Sequence, residues 1–420
     1  MILYKGNIYQ DSMQDELITR LESDIVETLS KPQRLTTDAV IAASEKMYQK
    51  AANGYYDSIA VPLLNEFGVS YERYQAMAKA FSAEVLRYKC EIELGRDFSN
   101  LPPLTSGTVR KIAPLGLLFH VAAGNVDGLP AYSVAEGLLS GNINILKLPS
   151  GDTGLSVKLL SDLIAEEPSL AEYIYVFDVP STEFETLKRL AKLADGVVVW
   201  GGDMAQRAAR EMCDVTTKII PWGHKLSFAY ATKNVTDEQL KGLACHICAT
   251  EQVLCSSCQG IFYDTDSLEE LQQFARRFFE IFKSENNRFG KADMAMRGRN
   301  SVQLYNDKLE NKYPLILNDE GVSVVVKEDR ELELSYTFRN VWVKALPHDK
   351  IVQSLKKQKG YLQTCGLLCD VSEKQSLADR LISAGVVRVT GGDLSRTFFG
   401  EAHDGTYPLR EYTKIVEIDV

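Results

Sequence analysis

Nowhere in this 420-residue chain is there an apolar run long enough to cross a bilayer. The most apolar stretch, 113–139, is broken by His120, Asn125, Asp127, Pro130 and Glu136, so no membrane partner is expected. Basic clusters are missing too. Lysines and arginines are dispersed, the net charge is −10 and the pI about 5.2. Nucleic acid needs a basic face to neutralise its phosphates, so it is not an expected partner, whereas an anionic cofactor needs only a local patch. Eight cysteines do not make a disulfide-dense chain. The segment MILYKGNIYQDSMQDEL has neither the basic start nor the apolar core of an export signal. These absences point to a cytoplasmic protein with reduced thiols. No G-x-G-x-x-G occurs, which removes the common dinucleotide fingerprint, and there is no internal repeat.

What is present is a globular composition, 45% apolar and 25% charged, in a chain too long for one core. The first hundred residues read mostly as helices, at 12–30, 36–52 and 71–95, with apolar residues three and four apart. Residues 100–112, with two prolines, a serine and a glycine, read as a connector. Beyond 115, short apolar runs alternate with helices: LGLLFHVA, NINILKL, YIYVFDV, GVVVW and KLSFAYA. Runs hydrophobic on both faces and separated by helices indicate parallel sheets covered on both sides. A second such series runs from about 236 to 395, with helices at 267–284, 348–362 and 372–384. Thr182 with Glu185, Thr236 with Gln239, and Ser267 with Glu270 have capping-box spacing. The expected fold class is α/β, as two three-layer domains. The parts are a helical N-terminal part (1–110), a nucleotide-binding domain (111–232), a catalytic domain (233–395) and a tail (396–420).

Cys255 in EQVLCSSCQGIFYD stands after a helix, before a strand and among small uncharged neighbours, a suitable seat for a nucleophilic thiolate. Asn125 follows an apolar strand in FHVAAGNVDGLP. It either caps that turn or supplies an oxyanion donor, worth roughly 3–4 kcal/mol in such a role. Lys147 ends the strand NINILKL before Pro149-Ser150-Gly151. It either snorkels from the sheet or meets a ribose or phosphate beside helix amides. Gly201 and Gly202 could present further amides to a pyrophosphate. Cys245, Cys248, Cys255 and Cys258 have paired spacing that zinc could use. The first pair, however, falls on one face of an amphipathic helix, which suits packing thiols. His224 and His403 are proton-transfer candidates, although a structural role is the first expectation for each.

Several stretches together resemble the LuxC-type fatty acyl-CoA reductases of bacterial bioluminescence operons, a branch of the aldehyde dehydrogenase superfamily. They are GLLFHVAAGNVDGLPAYSVAEGLLSGNINILKLPSGD (116–152), VVVWGGDMAQRAAR (197–210), GHKLSFAYA (223–231), QVLCSSCQ (252–259), LQTCGL (362–367) and HDGTYPL (403–409). The resemblance implies an aldehyde dehydrogenase-like fold with a C-terminal dimerisation strand, VEIDV, in a homodimer or homotetramer. It implies Asn125 as oxyanion donor, Lys147 as ribose ligand and Cys255 as nucleophile. The implied reaction is NADPH-dependent reduction of a fatty acyl-CoA or acyl-protein thioester to the aldehyde, beside an acyl-protein synthetase partner. Pro221 stands where hydrolytic relatives carry a glutamate base, which disfavours water attack. Ser150 stands where NAD-preferring relatives carry a glutamate, which favours NADPH. No clear counterpart of the later ribose-binding glutamate occurs in SYTFRNVWV (335–343). Two alternatives stay open: a reductase of an acyl phosphate, and a zinc-binding protein without activity.

Overall fold

The structure is a computed structural model, and it describes all residues except 33, 67–70, 97–100, 102–106, 123–127, 292, 395–399 and 420. Met1–Gly223 with Phe398–Val420 form one compact unit and His224–Thr397 a second.

In the first unit, β1 (Ile2–Tyr4) and β2 (Asn7–Tyr9) form a hairpin. They are followed by β3 (Thr108–Pro114), β4 (Leu117–Val121), β5 (Ile143–Lys147), β6 (Ile174–Phe177), β7 (Gly196–Trp200) and β8 (Lys218–Trp222). The main sheet has the order β2-β1-β6-β5-β4-β7-β8. From β6 to β8 all neighbours are parallel, and β1 joins β6 antiparallel. β5 and β6 are buried along their whole length, as expected of central strands covered on both faces. The chain builds outward from β4 to β6, then returns to the other side of β4 for β7 and β8. Loops at the carboxyl ends beside this reversal are where such sheets bind ligands.

Several elements differ from the local sequence reading. The segment 71–95 is not one helix: it breaks at Lys79–Phe81 and restarts at Ala83, because Ser82 caps the backbone N–H of Val85. The connector read at 100–112 contains the start of β3, which pairs antiparallel with Thr413–Asp419 along its full length. Its partner lies some three hundred residues away, so local pattern gave no sign of it. β8 carries Pro221, tolerated because β8 is an edge strand. No capping box forms at Thr182, since the helix there is Phe184–Leu193 with Glu183 as N-cap.

The second unit contains β9 (Leu226–Ala231), β10 (Cys258–Tyr263), β11 (Leu315–Asp319), β12 (Val322–Lys327), β13 (Asn340–Ala345), β14 (Leu362–Leu368) and β15 (Arg388–Thr390). Their order is β11-β12-β13-β10-β9-β14-β15, with all pairs parallel except β11 on β12. Its core is aromatic as well as aliphatic. A Cβ on Gly260 would stand 2.0 Å from the Trp342 ring, so β10 and β13 can pair there only through glycine. The capping box at Thr236 and Gln239 is present in both directions. The expected helix 348–362 is only the short turn Ile351–Leu355 between 3-10 pieces, because β14 begins at Leu362. Among the described residues no helix is long and apolar enough to cross a membrane.

Candidate active site

In the second unit, the helix Asp237–Thr250 ends where the chain turns through two left-handed residues, Glu251 (φ 46) and Gln252 (φ 65). Residues 253–257 then lead into β10. Cys255 lies on this turn and is the exposed one of the eight cysteines. Its carbonyl accepts a hydrogen bond from Ser227 Oγ at 2.8 Å, since Ser227 pairs with Cys258 across β9 and β10. Ser257 Oγ accepts the Leu254 N–H at 3.0 Å, and the Leu254 carbonyl accepts the Ser257 N–H at 2.9 Å. At the far end, the Cys258 N–H donates to Nε2 of buried His246 at 3.2 Å. That contact requires Nε2 to be unprotonated, so the ring proton sits on Nδ1, 3.5 Å from Asp393 Oδ1. The backbone around the thiol is therefore held on both sides.

The other cysteines have different surroundings. Burial pushes the Cys248 and Cys258 thiols up to about 12, and burial with the neighbouring Glu285 raises Cys245, whose Sγ donates to that carboxylate at 3.2 Å. Such thiols stay protonated near neutral pH. The four cysteines at 245–258 thus do not converge, and no cluster of three metal-ligating side chains occurs among the described residues.

In the first unit, Lys147 ends β5 with its side chain largely buried, its Nζ donating to Ser181 Oγ at 3.2 Å. Burial lowers its pKa, and the Asp178 carboxylate opposes that shift. Asp178 also lines a cavity of about 240 Å³ with Pro149, Gly151, Asp152, Gly154 and Val157. Ser150 is exposed in the same loop. The helices that follow β4, β5 and β7 are Leu129–Leu139, Leu155–Glu166 and Asp203–Met212. Their N-caps are Gly128, Gly154 and Gly202, and none has a side-chain cap. First-turn amides left in this way are suited to anionic groups. Gly201 uses its own N–H on the Trp222 carbonyl at 3.1 Å, whereas the position of a Cβ at Gly202 is open space.

Beneath these loops runs a buried polar string. Trp200 Nε1 donates to Ser133 Oγ at 3.0 Å, and Ser133 Oγ lies 2.8 Å from His120 Nδ1. His120 Nε2 lies 3.0 Å from Asn144 Oδ1, and Asn144 Nδ2 donates to the Asn142 carbonyl at 2.7 Å. The amide oxygen of Asn144 can only accept, so His120 is the Nε2–H tautomer. Complete burial pushes its pKa down to about 4.

Of the residues singled out in the sequence, Lys147 and Ser150 share one loop, and Gly201–Gly202 stand at the end of β7. His403 packs its ring 5.2 Å from Trp200 and 5.0 Å from Trp222. His224 is exposed, with its ring 6.5 Å from that of Tyr361. Asn125 lies outside the described residues. Sequence reasoning missed Ser227, His246 and Gln252, which hold the turn of Cys255. A serine inside the apolar run KLSFAYA and a glutamine three residues before the thiol were the available signals.

A sequence model described as acyl-CoA reductase (LuxC) matches residues 33–415. The chain belongs to the LuxC family. Within it, the long-chain acyl-protein thioester reductase of Aliivibrio fischeri is 28% identical over 321 residues, 73% of this chain and 64% of that protein. A second such reductase, from Photobacterium leiognathi, is 31% identical over 199 residues, 45% of this chain and 41% of that protein. The chain thus matches less than two thirds of the length of either relative. Among solved structures, a glyceraldehyde-3-phosphate dehydrogenase from Methanocaldococcus jannaschii complexed with NADP superposes with a TM-score of 0.72. It is 11% identical, covering 99% of this chain and 95% of that one. An apo betaine aldehyde dehydrogenase from Staphylococcus aureus gives 0.70 at 16% identity, covering 96% and 87%. The fold is therefore aldehyde dehydrogenase-like, as the resemblance implied.

Proposed function

We propose that the chain reduces a long-chain acyl thioester to the aldehyde, with Cys255 as acyl acceptor and NADPH as reductant. The observation that carries this reading is the exposed thiol of Cys255 on a turn held by Ser227, Ser257 and His246, beside seven cysteines in less open settings. The Cys255 thiolate attacks the thioester carbonyl, the tetrahedral oxyanion collapses, and the donor leaves as its thiolate. Bound NADPH supplies a hydride to the acyl-cysteine carbonyl. Collapse of the resulting thiohemiacetal breaks the carbon–sulfur bond, frees the aldehyde and returns the Cys255 thiolate. Overall, thioester, NADPH and one proton give aldehyde, thiol and NADP⁺. The backbone N–H of Cys255 and the side-chain amide of Asn125 are the oxyanion donors in this reading.

The first unit fits a dinucleotide. Lys147 is a buried ammonium beside a cavity, and the uncapped helix starts at Gly128, Gly154 and Gly202 offer amides to its phosphates. Asp178 and Asp152 line that cavity and suit ribose hydroxyls. The preference for NADPH rests on the exposed, small Ser150, which leaves room for a 2′-phosphate. Pro221 in place of a carboxylate base supports transfer of the acyl group to hydride and not to water.

The test is to incubate the protein with radiolabelled long-chain acyl-CoA. A hydroxylamine-labile adduct should form, vanish on adding NADPH with release of aldehyde, and be missing from Cys255→Ser. Retention of a thiol-type adduct in that variant would remove Cys255 from the mechanism. Running acyl phosphate and NADH in parallel separates the acyl donor and the nucleotide.

A further inference from the structure

We propose that Gln252 is the positioning residue for Cys255: its side-chain amide ties both stems of the turn to the start of β13 and so sets where the thiol stands. This deepens the reading of Cys255 as acyl acceptor and rests on it.

Gln252 is buried, and its amide is fully engaged. Oε1 accepts the Asn340 N–H at 2.9 Å, and Nε2 donates to the Asn340 carbonyl at 2.7 Å and to the Cys258 carbonyl at 2.9 Å. Residue 252 enters the turn three positions before Cys255 and residue 258 leaves it three positions after. One side chain therefore closes the loop around the thiol. Its second anchor, the peptide of Asn340, is reached only through unusual backbone. Thr337, Phe338 and Arg339 all have positive φ (59, 49 and 66), as do Glu251 (46) and Gln252 (65), and none is glycine. Each such residue costs about 1–2 kcal/mol, and a run of them persists only where the surroundings over-determine it.

The surroundings do so from two sides. Phe338 N–H donates to the Glu251 carbonyl at 2.8 Å, and Arg339 Nη2 meets Glu251 Oε1 at 3.0 Å. From the helix Met294–Leu309, Arg297 Nη1 donates to the Phe338 carbonyl at 3.0 Å and Asn300 Nδ2 to the Thr337 carbonyl at 2.9 Å. The result of holding this strained run is that Asn340 presents its N–H and C=O together to Gln252. A contact serving stability alone needs no such cost. Strain kept beside a reactive group is characteristic of preorganisation.

The test compares the full chain with Gln252→Glu and Gln252→Met. Both keep length and packing; the first places carboxylate oxygen against two carbonyls, and the second removes every bond. Expected is a roughly ten- to hundredfold slower formation of the Cys255 acyl adduct in a single turnover without nucleotide. The dissociation constant for NADPH should stay within about twofold of wild type. The deficit of Gln252→Glu should narrow between about pH 8 and pH 6, as the introduced carboxyl gains a proton to donate, while that of Gln252→Met should not. Acylation within about twofold of wild type in either variant would overturn the proposal. So would a pH-independent deficit in Gln252→Glu, or failure of both variants to fold, which would make Gln252 a folding residue only. Absence of any adduct in wild type, or its persistence in Cys255→Ser, would instead remove the acyl-cysteine reading itself.

Discussion

The helices after three strands of the first sheet and the three longest helices of the second unit start in opposite ways. In the first unit, the helices after β4, β5 and β7 begin on glycines that offer no side chain to their free amides. In the second, the three longest helices begin on Thr236, Ser267 and Asp293, each accepting a backbone N–H from the first turn. The N-terminal helices 37–52 and 83–94 of the first unit are likewise capped, by Thr36 and Ser82. Starts without a side-chain cap also occur at 14–30 and 184–193 in the first unit and at 374–384 in the second, but there the N-caps are Met13, Glu183 and Glu373 and not glycine. A self-capped helix has satisfied its own amides, whereas a bare one keeps them for something else. The three glycine starts at Gly128, Gly154 and Gly202 are what the proposed nucleotide site in the first unit would use.

The largest effect expected concerns the buried string that supports the first set of loops. His120 is neutral when folded, with its pKa pushed down to about 4, while the unfolded chain binds that proton near 6.5. The stability this gives is complete above about pH 6.5 and falls as acid is added, by about 3 kcal/mol at pH 4. Urea midpoints of His120→Gln and wild type, followed from neutral pH downward, should show a gentler fall in the variant. Lys147→Met should raise the NADPH dissociation constant roughly ten- to hundredfold in a titration, as a charged hydrogen-bond partner is lost. The melting temperature should hold or rise, because a buried charge has gone. Acyl-adduct formation at Cys255 should be untouched.

Gly202→Asp probes the contrast directly. Gly202 has the extended backbone of an N-cap, and a Cβ there meets open space. Its carboxylate should cap the helix, adding a few tenths of a kcal/mol to stability. The same cap should weaken NADPH binding roughly tenfold by filling an anion site with the chain's own charge. Unchanged affinity would dissolve the distinction between the units at that helix. Smallest is Thr236→Ala, which should cost about 1 kcal/mol in a denaturant titration and leave nucleotide affinity as it was.

The alternation of apolar runs and helices was readable because each run is buried on both faces, as in β5, where all five residues are buried. Cys255 and Lys147 were readable because their polar side chains stand beside apolar strands. Features made by distant pairing were not. Nothing in TVRKIAP announces Thr413–Asp419 as its partner. Nor does TFRN announce three left-handed residues, since the strain at Thr337–Arg339 is held by Arg297, Asn300 and Glu251 and not by glycine. The role of Gln252 was hidden for the same reason: its partner Asn340 is 88 positions away.

The first unit is interrupted: its β3 waits for a strand that begins at Thr413, and Leu409 and Tyr412 are fully buried in its core. A ribosome therefore delivers every residue of the second unit before it delivers the last pieces of the first. The thiol-bearing half, continuous in sequence, can reach its native form while the chain is still being made. The first unit must wait until Thr413–Asp419 has been made, and for that interval its unfinished core is what chaperones and proteases meet.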